Sequence, residues 1–274
     1  MINHYLKVAF RNLMKYKTQS LVSIIGLAVG FTCFALSVLW IRYEMTYDNF
    51  HEGADRIYMV RAHYANEPGI SKSTPYPLME YLQDKMPEIE AVTAFTTQNV
   101  RFRMEDTEQE IGMVVADSVF MNFFDIRLLK GTVNFLKSDS EEVAITEEFA
   151  KRLFNKEEDA LGKEVEVGRR VCKIGAIVSG WSNHSNIPYS ILAPARHSPR
   201  WGSSNEQLFI RVRERTDIDT FRTKMSGICI NEIEKESELS DLLITRMSAL
   251  RYSDYVDKAD VVISFSYIFY FSLA

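Results

Sequence analysis

Residues 20–41 read Ser20-Leu-Val-Ser-Ile-Ile-Gly26-Leu-Ala-Val-Gly30-Phe-Thr-Cys-Phe-Ala-Leu-Ser-Val-Leu-Trp40-Ile41, without one charged side chain. At roughly 1.5 Å per residue a helix of this stretch is about 33 Å long, enough to cross a bilayer core of about 30 Å. Working outward, a second charge-free run from Val261 to Ala274 would reach only about 21 Å on the same arithmetic. It is therefore expected to be the start of a second membrane helix, cut short. Between the two runs lie about 220 residues of soluble character. The expected organisation is a cytoplasmic amphipathic helix over 1–17, a transmembrane helix over 18–44 and an extracytoplasmic domain over 45–258, with the truncated second helix over 259–274.

Charge sets the expected orientation. Lys7, Arg11, Lys15 and Lys17 precede the first apolar run with no acid among them. Removing those four from the 32 basic residues leaves 28 against 37 acids, so the remainder of the chain carries a net −9. Basic residues flanking a first membrane helix stay in the cytoplasm, which puts the N-terminus inside and the large domain outside. Lys15, Lys17, Trp40 and Tyr43 bracket the run and are expected to fix its depth at the two interfaces. The run is too long for the core of a cleaved signal peptide, and no small-x-small site follows it. Within it, Gly26 and Gly30 have the spacing that lets a second helix approach closely. Ahead of it, Ile2, Tyr5, Leu6, Ala9, Phe10, Leu13 and Met14 form an apolar stripe at helical spacing. That helix could lie on the inner leaflet or pack beside other membrane helices.

The outer segment mixes strands and helices without a regular β-α-β repeat, which gives an α+β fold class. Alternation and turn residues predict strands over 56–63, 91–97, 100–104, 110–116, 142–146, 189–193, 207–212 and 242–247. A hairpin is expected around Gly168, from 163–167 and 171–178. Helices are predicted over 75–86, 119–124 behind Asp117-Ser118, 147–154 behind a Thr146 cap, and from Thr216 past Ile233. Of three cysteines, Cys33 falls in the membrane run. Cys172 and Cys229 could form one bridge, and two buried free thiols are the expectation.

Chemistry-bearing motifs do not emerge. Gly162-Lys163 lacks the earlier glycine and the following Ser or Thr of a phosphate-binding loop. The five histidines show no zinc spacing, so neither a metal nor a cofactor is expected. Ser182-Asn183-His184-Ser185-Asn186 is the densest polar cluster and reads as a structural loop, because a nucleophile–base pair would need a third orienting group. No enzymatic site is expected, and the net acidity argues against nucleic acid.

Several strings in order nevertheless resemble one family. Ala9-Phe10-Arg11-Asn12-Leu13, Asp48-Asn-Phe-His51 and Ala54-Asp-Arg-Ile-Tyr58 are followed by Val115-Ala-Asp-Ser-Val-Phe120, Phe123-Phe-Asp125 and Leu128-Leu-Lys-Gly131. Val143-Ala-Ile-Thr-Glu147, Ala150-Lys151, Leu153-Phe154 and Leu161-Gly162-Lys163 come next. Together they are similar to the N-terminal part of MacB/FtsX-like ABC transporter permeases, and the likeness covers essentially the whole chain. Asn183-His-Ser-Asn-Ile-Pro188 is only loosely like the family's loop. The resemblance implies a two-lobed extracytoplasmic domain, one lobe discontinuous and the other running from about 90 to 130. It also implies a non-catalytic permease subunit of the inner membrane, partnered by a cytoplasmic ABC ATPase, a second permease copy or homologue, membrane lipids and an envelope protein. Motion from ATP use would drive export, lipoprotein extraction or control of an envelope enzyme. Taken alone, the two apolar runs fit a membrane-anchored sensor equally well.

Overall fold

The computed structural model describes residues 2–65, 67–105, 107–154, 157–181, 184–228 and 238–250. The second apolar run, Cys229, Ser182-Asn183 and the end of the last predicted helix lie outside the described residues. The remainder falls into two units that divide between Thr46 and Tyr47.

The first unit is helical. Helix α1 spans Ile2–Lys15 and α2 spans Lys17–Met45. They are separated only at Tyr16, whose ψ of 57° leaves the helical region while the hydrogen bonds Tyr16 N–Asn12 O and Ser20 N–Tyr16 O run on across it. Apolar side chains project all round α2, with Leu27 77 %, Phe31 70 % and Phe34 66 % exposed. A helix apolar on every side, with the apolar stretch unburied among the described residues, is suited to lipid.

The second unit is built on one mixed sheet with strands β1 (Ile57–Tyr64), β2 (Thr74–Pro75), β3 (Ile89–Met104), β4 (Thr107–Ala116), β5 (Leu128–Gly131), β6 (Glu142–Thr146), β7 (Glu164–Val167), β8 (Arg170–Val178), β9 (Ile191–Pro194), β10 (Ser204–Val212) and β11 (Leu239–Arg246). Among the described residues four α-helices accompany it: α3 (Pro77–Lys85), α4 (Ser118–Phe123), α5 (Glu147–Leu153) and α6 (Ile218–Ile228). The main path runs β11-β1-β10-β3-β4-β9-β6-β8-β5, with β2 on β10 and β7 bridging β3 and β8. The α+β expectation holds.

Two strands expected over 91–97 and 100–104 are one. The polar pair Gln98-Asn99 lies between the two expected stretches; both side chains are exposed and the backbone stays paired throughout. β3 changes partner midway instead: Phe95 faces Gln207 of β10, and Thr96 faces Val115 of β4. This divides the sheet into two halves. The discontinuous half carries β1, β10, β11 and the start of β3. The other is drawn from residues 96–194, a longer stretch than the expected 90–130.

Core residues sort by the two-residue period of the strands. Ile57, Met59, Phe95 and Phe209 point to one face, where Phe120, Phe123 and Phe124 of the α4 region cover them. Tyr58, Val60, Ala94 and Leu208 point to the other, beneath Leu78 and Leu82 of α3 and Phe221 and Met225 of α6. In the second half Phe102, Ile145 and Ile177 are covered by Phe149 and Ala150 of α5. Covered on both faces, β1 is nearly all buried, unlike a strand with one wet side.

Asp117 caps α4, accepting from Val119 N at 2.8 Å, and Thr146 caps α5, accepting from Phe149 N at 3.3 Å, as the sequence predicted. At the far edge Gly131 holds φ at +88°, and a β-carbon there would collide with the Gly175 carbonyl. Gly131→Ala combines the strain with the clash and is expected to cost about 2–4 kcal/mol, read by denaturant unfolding. A loss below about 0.5 kcal/mol would refute that packing.

Candidate functional site

The chain leaves α2 with Thr46 Oγ1 donating to the Tyr43 carbonyl at 2.9 Å. Two residues later, inside the outer unit, stands Asp48. It is fully buried and sits at φ +57°, the left-handed region that short polar side chains tolerate better than most. Its carboxylate gathers donors from one loop between β8 and β9. Ser185 Oγ donates to Oδ1 at 2.5 Å, Asn186 Nδ2 to Oδ2 at 2.6 Å, and the Asn186 backbone N–H to both oxygens at 3.2 Å. In return Asp48 N donates to the His184 carbonyl at 3.3 Å, and the Tyr47 ring lies 3.8 Å from that of His184. The Ser185 oxygen also accepts from Ile187 N at 3.0 Å, closing the loop on itself. Ser185 is thus committed to holding Asp48. Burial raises the Asp48 carboxyl above its ordinary value, and the bonds from Ser185 and Asn186 offset this only in part.

An aromatic cluster braces this knot. Trp181 Nε1 donates to the Ile187 carbonyl at 2.9 Å, and the Trp181 ring meets His51 at 4.8 Å, Phe124 at 5.2 Å and Tyr189 at 4.8 Å. Burial, then the nearby Arg211 cation, lowers His51 to about 4, so it is neutral at physiological pH and packs as an aromatic ring. An open cleft of 280 Å³ runs along the cluster between Phe50, Trp181 and Arg127.

A second polar cluster joins the two sheet halves. His197, on the connection from β9 to β10, stacks on Tyr76 with ring centroids 4.0 Å apart and 8° between planes. Its Nδ1 lies 3.2 Å from Glu206 Oε1 of β10, and Nε2 lies 3.6 Å from Asp117 Oδ2 beside β4. Glu206 also accepts from Thr96 Oγ1 at 3.0 Å, at the point where β3 changes partner. Burial works against charge on His197, but the two carboxylates outweigh it and raise it to about 9. Asp117 is likewise held below the usual carboxylate range: burial opposes this, and His197 and the α4 amides prevail.

The family described as MacB-like periplasmic core domain matches residues 20–228, three quarters of the chain. This chain belongs to that family. Solved structures agree on the fold. A domain of a permease protein from Porphyromonas gingivalis superposes with a TM-score of 0.56 at 19 % identity, covering 72 % of this chain and 92 % of that one. The extracellular domain of the noncanonic ABC-type transporter YknZ from Gram-positive bacteria gives 0.51 at 14 % identity, with 69 % and 99 % covered. The periplasmic region of MacB from Actinobacillus actinomycetemcomitans gives 0.50 at 13 %, with 72 % and 92 % covered. No curated protein matches the chain.

With α2 ahead of a MacB-like periplasmic core domain, the chain is a membrane-anchored extracytoplasmic domain. Of the residues singled out in the sequence, Gly26 and Gly30 lie on α2, where a β-carbon would meet nothing within 4 Å. Trp40 and Tyr43 project from its C-terminal end, 53 % and 51 % exposed, with ring centroids 6.3 Å apart. Lys15 ends α1 with its ammonium 5.4 Å above the Tyr16 ring, and Lys17 opens α2. Both of the knot's segments, Asp48-Asn-Phe-His51 and Asn183 to Pro188, stand out in the sequence, but no spacing or periodicity there signals that they meet. The usable hint was compositional, an acid just outside the membrane run and an unplaced cluster of short polar donors.

Proposed function

We propose that this chain is the permease subunit of an ABC-type transporter, non-catalytic itself, in which a separate cytoplasmic ATPase moves the extracytoplasmic head through α2. The N-terminus is cytoplasmic and the membrane is the inner one, on the basis of the basic residues at 7–17. The observation that carries the reading is the Asp48 knot. A helix displaced along or across the membrane passes its motion to a domain only through a stiff joint, and a slack linker would absorb it. The residues directly after α2 are tied instead to the β8–β9 loop, through the bonds to Asp48, and through Trp181 to the core. The fold neighbours described as a permease protein and an ABC-type transporter support the same reading.

In membranes, the full chain is expected to retain an ABC ATPase through mild purification. Spin labels on the head should change their separation when nucleotide is trapped. A chain that retains no ATPase, and instead answers a soluble ligand, would be a sensor. Gly26 and Gly30 supply the face for a second permease helix. A β-carbon at either position meets nothing within 4 Å, and Gly26→Leu or Gly30→Leu should lower the yield of the dimer several-fold while leaving the head's unfolding midpoint unchanged. An unaltered dimer yield by cross-linking removes that face.

A further inference from the structure

We infer that an open cleft of 530 Å³ in the outer unit binds the headgroup of a zwitterionic phospholipid, with arginines on its phosphate and carboxylates on its ammonium. The inference rests on the membrane-anchored placement of the chain and is independent of the ATPase.

Sheet register places the cleft. β1 is the first strand after α2, and its opening residues Ile57 and Tyr58 face Arg211 of β10 and Arg246 of β11. β10 and β11 are antiparallel to β1, so both end where β1 begins. This pole of the sheet is the one where β1 begins, after residues 46–56 that follow α2 in the chain. Four arginines line the cleft at this pole: Arg56, Arg213, Arg215 and Arg246.

Their settings differ in a way that suits binding. Arg56 is fixed, donating from Nη1 to Glu90 at 2.5 Å and to the Val212 carbonyl at 3.0 Å. Gly53 leaves space for it: at φ +67° a β-carbon there would stand 3.2 Å from Arg56 Nη2. Arg213 is pinned through Nε to the Pro87 carbonyl at 2.8 Å. Arg246 lies with its guanidinium carbon 5.9 Å from the Tyr58 ring centroid. Arg215, exposed on the β10–α6 connection, holds φ at +65°, a strained setting for a long side chain. Among the described residues neither Arg215 nor Arg246 makes an ion pair, so both keep their donors for a ligand. Guanidinium groups match phosphate oxygens with paired hydrogen bonds, which favours phosphate over a carboxylate of equal charge.

Glu52, Asp55 and Glu214 line the same cleft. They would repel a plain anion and offset most of the arginine field. A headgroup with phosphate and primary ammonium a few bonds apart satisfies both signs, and a phosphoethanolamine lipid is that ligand. Phosphocholine has the charge but no N–H donors for the carboxylates, and phosphoglycerol has no cation.

The test uses the full chain in a maltoside detergent, with short-chain phosphatidylethanolamine, phosphatidylglycerol and phosphatidylcholine of equal acyl length and inorganic phosphate. Affinity is followed by the shift in thermal unfolding. The ethanolamine lipid is expected to bind at least fivefold tighter than the other two lipids. The double variant Arg215→Gln with Arg246→Gln should weaken it about tenfold or more. The corresponding lysine variants should lie between, and Arg170→Gln on the β7–β8 hairpin should match the parent. Glu214→Gln should narrow the gap between ethanolamine and glycerol lipids. Equal affinity for the three lipids, no loss in the double glutamine variant, or phosphate binding as tightly as the lipid would each overturn the inference.

Discussion

Asp48→Ala is expected to destabilise the outer unit by about 3 kcal/mol and to free the β8–β9 loop, the largest loss from any single truncation at the joint after α2. The alanine removes the acceptor for Ser185 Oγ, Asn186 Nδ2 and the Asn186 amide while leaving those donors at a site where Ser185 is buried. Each orphaned donor costs on the order of 1–3 kcal/mol, reduced where water can reach it. Alanine also tolerates φ +57° less well than aspartate, adding about 1 kcal/mol. Asp48→Gly separates the two parts, since it relieves the backbone and keeps the orphaned donors. It should recover about that 1 kcal/mol and no more. Denaturant unfolding followed by tryptophan emission is a direct readout, because Trp181 is anchored to the same loop through the Ile187 carbonyl. The pH dependence has a definite sign. A carboxyl whose folded value is raised binds its proton more firmly folded than unfolded. Its contribution therefore falls as pH climbs from the unfolded value of about 3.9 through the folded one, and is level above that. Asp48→Ala should remove this decline in the acid range and leave the slope above neutrality unchanged. In the transporter proposed for this chain, the same change should leave nucleotide hydrolysis running while the head no longer moves with it. A loss under about 0.5 kcal/mol with unaltered Trp181 emission would show that the joint is not made there.

Local features of this fold are legible in the sequence because they are local. Asp117 and Thr146 act as caps through amides two and three residues away, and Gly168 turns the β7–β8 hairpin within a few residues. The apolar run that becomes α2 is read from length and lack of charge alone. Pairing is less legible. The polar Gln98-Asn99 in the middle of β3 lies between two stretches predicted as separate strands, and only the partner strands make it a continuous strand that serves both halves of the sheet. The short β5 was missed as a strand, because Leu128 and Leu129 show no alternation and it exists by pairing with β8. The joint at Asp48 was hidden for a related reason. Asp48 and Asn186 stand 138 positions apart, and no periodicity or spacing rule connects a lone acid to donors at that separation. His197 was similarly one unremarkable histidine until Asp117 and Glu206 were brought to it by different strands. What the sequence supplied was the inventory of groups that must find partners once buried; the fold supplied the pairing.

His197 gives the second large effect, and its sign runs opposite to that of Asp48. Its folded value of about 9 exceeds the unfolded value of about 6.5. The stability it contributes is therefore complete below about pH 6.5 and is lost as pH rises through about 9. The gap corresponds to an upper figure on the order of 3 kcal/mol, and the side chain is only 11 % exposed, so solvent screening reduces it little. His197→Gln keeps a neutral hydrogen-bond donor of similar reach beside Tyr76 but cannot carry the charge. It should cost most at pH 6, where it leaves the Asp117 and Glu206 carboxylates facing one another without a cation, and little at pH 10, where the parent has lost its proton too. Unfolding free energies of both proteins at pH 6, 7.5 and 9.5 should thus converge as pH rises. The location makes the loss more than a matter of stability. The β9–β10 connection, the end of β4 and the point where β3 changes partner all meet at this imidazolium, so its charge fastens the two halves of the sheet together. Hydrogen exchange should accordingly speed up at Thr96 and Asn205 in His197→Gln at pH 6, and in the parent only above pH 9. Parallel stability profiles, or exchange at those amides that ignores pH, would mean the halves are held by their apolar faces alone.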